Sequence, residues 1–430
     1  MLNTKLALLA SAFAFARVAF ASAKYTILKS LYHDTEKYYT TISIGNPAQT
    51  FLVALDTNST LTWVHGVECP NADCSGTRFN SFGEVASKGF KSIGDGYEQF
   101  YSFDAMNRKS YIGGFLGADT ITLNGLVVEQ DFVPVFESHS VFKKFRRGNA
   151  VSWKPEGVLG LGVSPTISTR AIKSLKSVSK ARPYTSFVHN LAEKGLIDKA
   201  FSLYFNEYPV PSWRESELVL GGYNENRVTA APHYIPVYRS QEPDADIYWQ
   251  VFGQAFKVTE EEWHGAGNKI SYVIYEERFQ RDQNEIFRFA TAIPFSKLKP
   301  SYNNRLYKAL TGKEPEEKHE DEPNSYVIDC KYAWDGSKIL SISFSHQQDS
   351  RTDSKPVHVE FPLSKLVRMY IDEDYKKKGC VWGPQDTEYD SQEMYLGQDI
   401  LRNIYMTFDF NEYRIGLASE KSSSTKIVVE

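Results

Sequence analysis

The amino-acid sequence predicts an all-β protein with few helices, and three observations carry that expectation. Short segments rich in β-branched and aromatic residues recur along the chain, among them 38–44, 51–55, 120–123, 201–205 and 339–344. Gly, Asn, Pro and Asp punctuate them as turns, the pattern of strands joined by tight connections. Helical periodicity is sparse, with 185–194 and 298–310 the better amphipathic stretches. Many strands with few helices lead to barrels or sandwiches.

Composition narrows the function classes. At 430 residues the chain can hold one large core, two fused lobes or two domains. Apolar residues are 42% of it and aromatics 14%, which excludes disorder and coiled-coil or low-complexity states. The 49 Lys and Arg balance 53 Asp and Glu, so no global field attracts nucleic acid or an acidic membrane. The nine His form no His-Glu-x-x-His spacing, and the nucleophile elbow, phosphate loop and dinucleotide glycine fingerprint are absent. No metal and no cofactor are expected.

The first 23 residues read as a secretory signal: basic Lys5, an apolar run over 6–16, then Ala21-Ser22-Ala23 before the cut. A short segment, 24–37, follows. No later stretch reaches eighteen apolar residues, so the expectation is no stable membrane anchor and a destination outside the cell or in the lumen of a lysosome-like organelle. Secretion makes the four cysteines disulfide candidates with three possible connectivities. Local pairing is the simplest scheme: Cys69 with Cys74, and Cys330 with Cys380. The basic run 143–147 reads as a solvated loop, and the charged stretch 313–323 as an exposed insertion.

The most informative stretch is Leu55-Asp56-Thr57-Asn58-Ser59-Thr60. A strongly apolar run ends in Asp56 and hydroxyl residues follow, so a strand delivers a carboxylate to a hydrogen-bonding turn. A lone Asp at a strand end is usually a turn former. Context raises the functional reading.

From here the sequence resembles the pepsin-like aspartic proteases over almost its whole length. Tyr38-Tyr39-Thr40-Thr41-Ile42-Ser43-Ile44-Gly45 looks like that family's first strands, followed by Leu55-Asp56-Thr57 and Trp63-Val64. Gly157-Val158-Leu159-Gly160-Leu161-Gly162, Leu218-Val219-Leu220-Gly221-Gly222, Tyr248-Trp249-Gln250, Val327-Ile328-Asp329-Cys330 and Leu396-Gly397-Gln398-Asp399 continue it in order. The resemblance implies a bilobal all-β fold, with an amino-terminal lobe over 38–212, a carboxy-terminal lobe over 213–430 and a cleft between them. It also implies a monomer with a peptide or protein ligand in that cleft. Cys69 and Cys74 match the family's small loop disulfide.

The family's chemistry needs two carboxylates that face each other and share one proton, one acting as base on a water and the other as acid. Asp56 matches the first, with Thr57, Asn58 and Ser59 lining the cleft and Asn58 standing where the family has Gly. The second belongs in Ile286-Phe287-Arg288-Phe289-Ala290-Thr291-Ala292, where Ala290 or Thr291 takes the carboxylate's place. Asp282 lies in a polar run and reads as a surface residue. At the flap, the family's Tyr falls on Ala105, or on Asn107 with the gap placed differently. The fourteen residues of 24–37 are shorter than the basic prosegment of such enzymes. Asn58-Ser59-Thr60 is a glycosylation sequon, expected to stay unmodified because the family's turn is buried. The resulting expectation is a proteolytically silent homologue with a binding cleft. The alternative is an active aspartic endopeptidase with a non-standard second residue.

Overall fold

The computed structural model describes residues 26–29, 32–33, 38–69, 80–100, 111–139, 155–163, 184–206, 216–240, 247–264, 268–279, 285–316, 325–345, 355–372, 377–387 and 393–429. The expected signal segment, the Asp282 run, the flap residues Ala105 and Asn107, the 143–147 loop, most of the 313–323 stretch and the 212/213 lobe division lie outside these. Residues 313 and 314 are exposed, as expected of an insertion.

The β-rich segments pair where their apolar alternation requires. Tyr38–Ile44 runs antiparallel to Gln49–Asp56, and both bury Ile42, Ile44, Phe51, Val53 and Leu55 on one side. They belong to an eight-stranded sheet that also holds Trp63–His65, Lys91–Phe100, Tyr111–Leu123, Leu126–His139 and Gly157–Gly160. A nine-stranded sheet from the second half includes Gln250–His264, Asn268–Arg278, Ile286–Phe289, Lys297–Leu298, Lys338–Phe344 and Glu393–Leu396. A small three-stranded sheet carries Val327–Ile328, Lys377–Trp382 and Val367–Asp372.

A six-stranded sheet joins the halves in the order Thr26–Lys29, Glu217–Leu220, Ala200–Tyr204, Ile404–Asp409, Arg414–Ser419 and His233–Pro236. Phe201 stacks on Phe408 with ring centroids 4.8 Å apart, and Trp249 closes on Phe408 edge-on. The Trp249 indole N–H also donates to the Leu161 carbonyl at 2.8 Å, tying a residue of the second half to the first. A hydrophobic core runs continuously from Tyr38 to Leu417 through both halves.

Two of the helices match the amphipathic stretches read from sequence. Phe187–Glu193 buries Phe187, Val188 and Leu191. Pro300–Thr311 starts with Pro, whose missing N–H is no loss in a first turn, buries Tyr302, Leu306 and Leu310 along one face, and ends at Gly312 with φ 76°. Its first turn is moored to Glu285, which accepts from Lys299 and Tyr302 at 2.8 Å each, just ahead of the strand Ile286–Phe289. Cys330 and Cys380 form a disulfide, as local pairing predicts. Cys69 is disulfide-bonded, and Cys74, its expected partner, lies outside the described residues.

The halves share one plan that the sequence does not display as a repeat. In the first, Gln49–Asp56 lies parallel to Gly157–Gly160 with Leu55 opposite Leu159. In the second, Ile286–Phe289 lies parallel to Glu393–Leu396 with Phe289 opposite Leu396. Trp63 pairs with Val158 as Lys297 pairs with Tyr395. Gly160 N donates to the Thr62 hydroxyl as Gly397 N donates to that of Ser296. The residues in these registers thereby have assigned counterparts across the halves.

Candidate functional site

Asp56 is placed by a strand whose last four residues are all buried, and it is 2% exposed itself. The strand Gly157–Gly160, parallel to that of Asp56, can also take Trp63–His65 and the loop before it on its other side because Gly157 and Gly160 have no side chain. A Cβ on Gly157 would stand 2.1 Å from the Trp63 carbonyl oxygen, and one on Gly160 would stand 2.5 Å from the Leu61 carbonyl oxygen. The Asp56 carboxylate accepts from the Asn58 N–H at 2.8 Å, which closes the turn on its own side chain. Asn58 replaces a Gly of the resembled pattern without strain, since the described non-glycine residues with positive φ are Asn124, Asn403 and Tyr413.

Around this turn the halves exchange four hydrogen bonds in two reciprocal pairs. The Thr57 hydroxyl donates to the Phe289 carbonyl at 2.6 Å, and the Thr291 hydroxyl donates to the Leu55 carbonyl at 2.8 Å. The Thr57 N–H donates to the Thr291 hydroxyl at 3.1 Å, and the Thr291 N–H donates to that of Thr57 at 3.2 Å. All of these groups are buried, where an unmade bond costs about 1–3 kcal/mol. The lattice therefore fixes the two turns against each other. Thr291 is the partner of Thr57, so the residue facing as Asp56 faces is Ala290, and Ala292 is the partner of Asn58. Ala290 and Ala292 are each 1% exposed and bring methyl groups where the first half brings a carboxylate and an amide.

The surroundings of Ala290 are polar all the same. Arg288, two residues earlier and on the same face of its strand, is 6% exposed. One terminal nitrogen reaches Asn58 Oδ1 at 3.4 Å, and the other reaches Gln250 Oε1 at 3.2 Å and Glu393 Oε2 at 2.7 Å. The guanidinium lies 3.5 Å from the centroid of the Tyr248 ring. Burial raises the pKa of the Tyr395 hydroxyl despite the opposing Arg288 charge, so that tyrosine stays neutral. On the first-half side, Tyr184 accepts from Thr62 N and donates to the Asp131 carbonyl, and burial pushes its pKa up to about 12.

Ser59 lies buried in the turn beyond Asn58, and Gly162 N donates to its carbonyl. Arg288, Gln250 and Glu393 were not among the residues singled out from sequence. The available signal was an arginine inside the apolar run Ile286-Phe287-Arg288-Phe289. Among the described residues there is no group of three or more His, Cys, Asp or Glu suited to a metal ion.

A sequence profile of the eukaryotic aspartyl protease family matches residues 37–420. The chain belongs to that family. Gastricsin of Oryctolagus cuniculus is 26% identical over 387 residues, 89% of this chain and 81% of that protein. Vacuolar protease A of Aspergillus fumigatus is 28% identical over 216 residues, 50% of this chain and 46% of that protein. Embryonic pepsinogen of Gallus gallus is 28% identical over 232 residues, 53% of this chain and 50% of that protein. The match to each of the last two spans about half the relative's length. As an aspartyl protease family member the chain has the strand-rich pepsin-like fold, and no described helix is long and apolar enough to cross a membrane.

Proposed function

We propose that this family member is proteolytically silent and uses the space between its halves to bind a peptide or protein ligand. It acts outside the cell or in the lumen of a lysosome-like organelle. The observation that carries the reading is the methyl group of Ala290 in the place that corresponds to the Asp56 carboxylate.

The family's reaction needs a proton donor and a proton acceptor on opposite sides of the scissile carbonyl, and two close carboxylates supply both by sharing one proton. Asp56 offers one carboxylate and can act as base. Ala290 can neither hold nor give a proton, and Thr291 Oγ1 already donates to the Leu55 carbonyl. The rigid Thr57–Thr291 lattice keeps the groove's floor in shape without chemistry, which suits a binding role.

The test is turnover by the purified protein. Denatured haemoglobin and casein, assayed from acidic to neutral pH with and without pepstatin, are expected to remain intact. Pepstatin-sensitive cleavage that disappears in Asp56→Asn would establish the competing reading, an endopeptidase with an unusual second group.

A further inference from the structure

The shared plan of the halves exposes a chemical difference between them. Tyr39 pairs with Ala54, and Trp63 with Val158, and these four pack in one apolar cluster beside the Asp56 turn. In the second half the same registers hold Gln250 opposite Arg288 and Lys297 opposite Tyr395. The first-half side is a buried apolar cluster. The other carries two buried cations, Arg288 at 6% and Lys297 at 7% exposure.

Arg288 is the better defined of the two. Its terminal nitrogens are engaged by Asn58, Gln250 and Glu393, but its Nε is buried with no acceptor among the described residues. A guanidinium presents its donors as a planar fork suited to two carboxylate oxygens, and a buried donor without an acceptor is unfavourable. Glu393, its present anionic partner, has a side chain 35% exposed and can turn to water while Arg288 stays held against Tyr248. Lys297 Nζ lies 5.9 Å from the Tyr395 ring on the same side. The Arg288 contact with Asn58 puts this fork beside the turn that holds Asp56.

We propose that Arg288, supported by Lys297, forms a carboxylate-binding subsite in the second half of the groove. The ligand brings the acidic group to the half where the chain itself supplies none at Ala290, and it does so by displacing Glu393. The inference rests on the binding role given above and adds its specificity: a peptide with a carboxylate toward Arg288. A Glu or Asp side chain and a free C-terminus offer the same chemistry.

The experiment uses the purified protein and fluorescein-labelled hexapeptide amides with Phe-Glu or Phe-Gln at their centre, together with a Phe-Gln peptide ending in a free carboxylate. Binding is read by fluorescence polarisation at about pH 6, where carboxylates are ionised. The wild-type protein is expected to prefer Phe-Glu over Phe-Gln by about tenfold, the scale of one charge-assisted bond. Arg288→Met removes the preference. Glu393→Gln, which takes away the internal competitor, widens it, and answers the question even where Arg288→Met does not fold. Preference for the free-carboxylate peptide over its amide would assign the subsite to a chain end instead of a side chain. Equal binding of all three peptides to wild type and Glu393→Gln would overturn the subsite while leaving the groove as a binding site. Absence of binding by every peptide to both proteins would overturn both.

Discussion

Thr57 and Thr291 hold the two turns against each other from both sides. Each hydroxyl both donates to a carbonyl and accepts an N–H from the opposite half. Thr291→Val leaves the Leu55 carbonyl and the Thr57 N–H buried and unpaired, and denaturant titration is expected to record a loss of about 2–4 kcal/mol. Thr57→Val should cost a similar amount, and the double variant much less than the sum, because both changes remove one network.

Two titratable residues make stability depend on pH in opposite senses. Burial raises the pKa of Asp399 above its ordinary 3.8, against hydrogen bonds from Ser296 and the nearby Arg368 charge. Its contribution is complete below that ordinary value and declines as pH climbs through the raised one. Burial, with Lys199 adding to it, lowers His189 from 6.5 to about 4, so its contribution is present above 6.5 and is lost as pH falls to about 4. Melting curves across this range should therefore show Asp399→Asn relatively stabilised toward neutral pH and His189→Gln relatively stabilised toward acid.

At this scale the sequence was informative about Asp56 and Thr57, because an acid closing an apolar run is conspicuous. It left Ala290 and Thr291 as alternatives, since only the cross-half hydrogen bonds say which one is the partner of Thr57. Arg288 stands out only as a charge inside an apolar run, because its partners Asn58, Gln250 and Glu393 are all distant in sequence.

Elements show why similar glycines are not equivalent. Gly312 ends the helix Pro300–Thr311 in a left-handed conformation with open space around it. Gly312→Ala is expected to lower stability by about 1 kcal/mol, the conformational penalty alone. Gly160 has the Leu61 carbonyl oxygen and the Thr60 backbone within 2.5 Å of where a Cβ would sit. Gly160→Ala must push the backbone at Thr60 and Leu61 off the strand Gly157–Gly160, so the expected outcome is several times that loss and little folded protein, measured by soluble yield and circular dichroism. The sequence marked both helices because their apolar residues recur at helical spacing. It marked the strands it named because they are β-branched and aromatic. The length of the hairpin Gln250–His264 and Asn268–Arg278 was not legible: its second strand keeps Ile270, Tyr272, Val273 and Ile274 exposed, so no burial pattern announces it.

For the whole molecule, the Cys330–Cys380 bond closes a loop with a sequence separation of 50 between a 3-10 turn and the strand Lys377–Trp382. On the chain-entropy argument it contributes about 4 kcal/mol. Replacing both cysteines with Ser should shift the denaturation midpoint accordingly, with cleavage assays unchanged. The two-half plan was legible from sequence only through resemblance, because the halves match in register and hydrogen bonding while their side chains diverge, as at Trp63 and Lys297.

The central sheet also dictates a schedule of assembly. Ile404–Asp409 lies between Ala200–Tyr204 and Arg414–Ser419, so one stretch must wait for another made about 200 residues later. Until Phe408 has left the ribosome, Phe201 and Trp249 have each other but not the ring that caps both, and the surface it covers remains open to water or to a chaperone. A nascent chain stalled at residue 400 would hold the strands of the eight-stranded sheet and all but Lys426–Val429 of the nine-stranded one, with no seam, whereas twenty more residues supply Ile404–Asp409 and Arg414–Ser419, which join the halves.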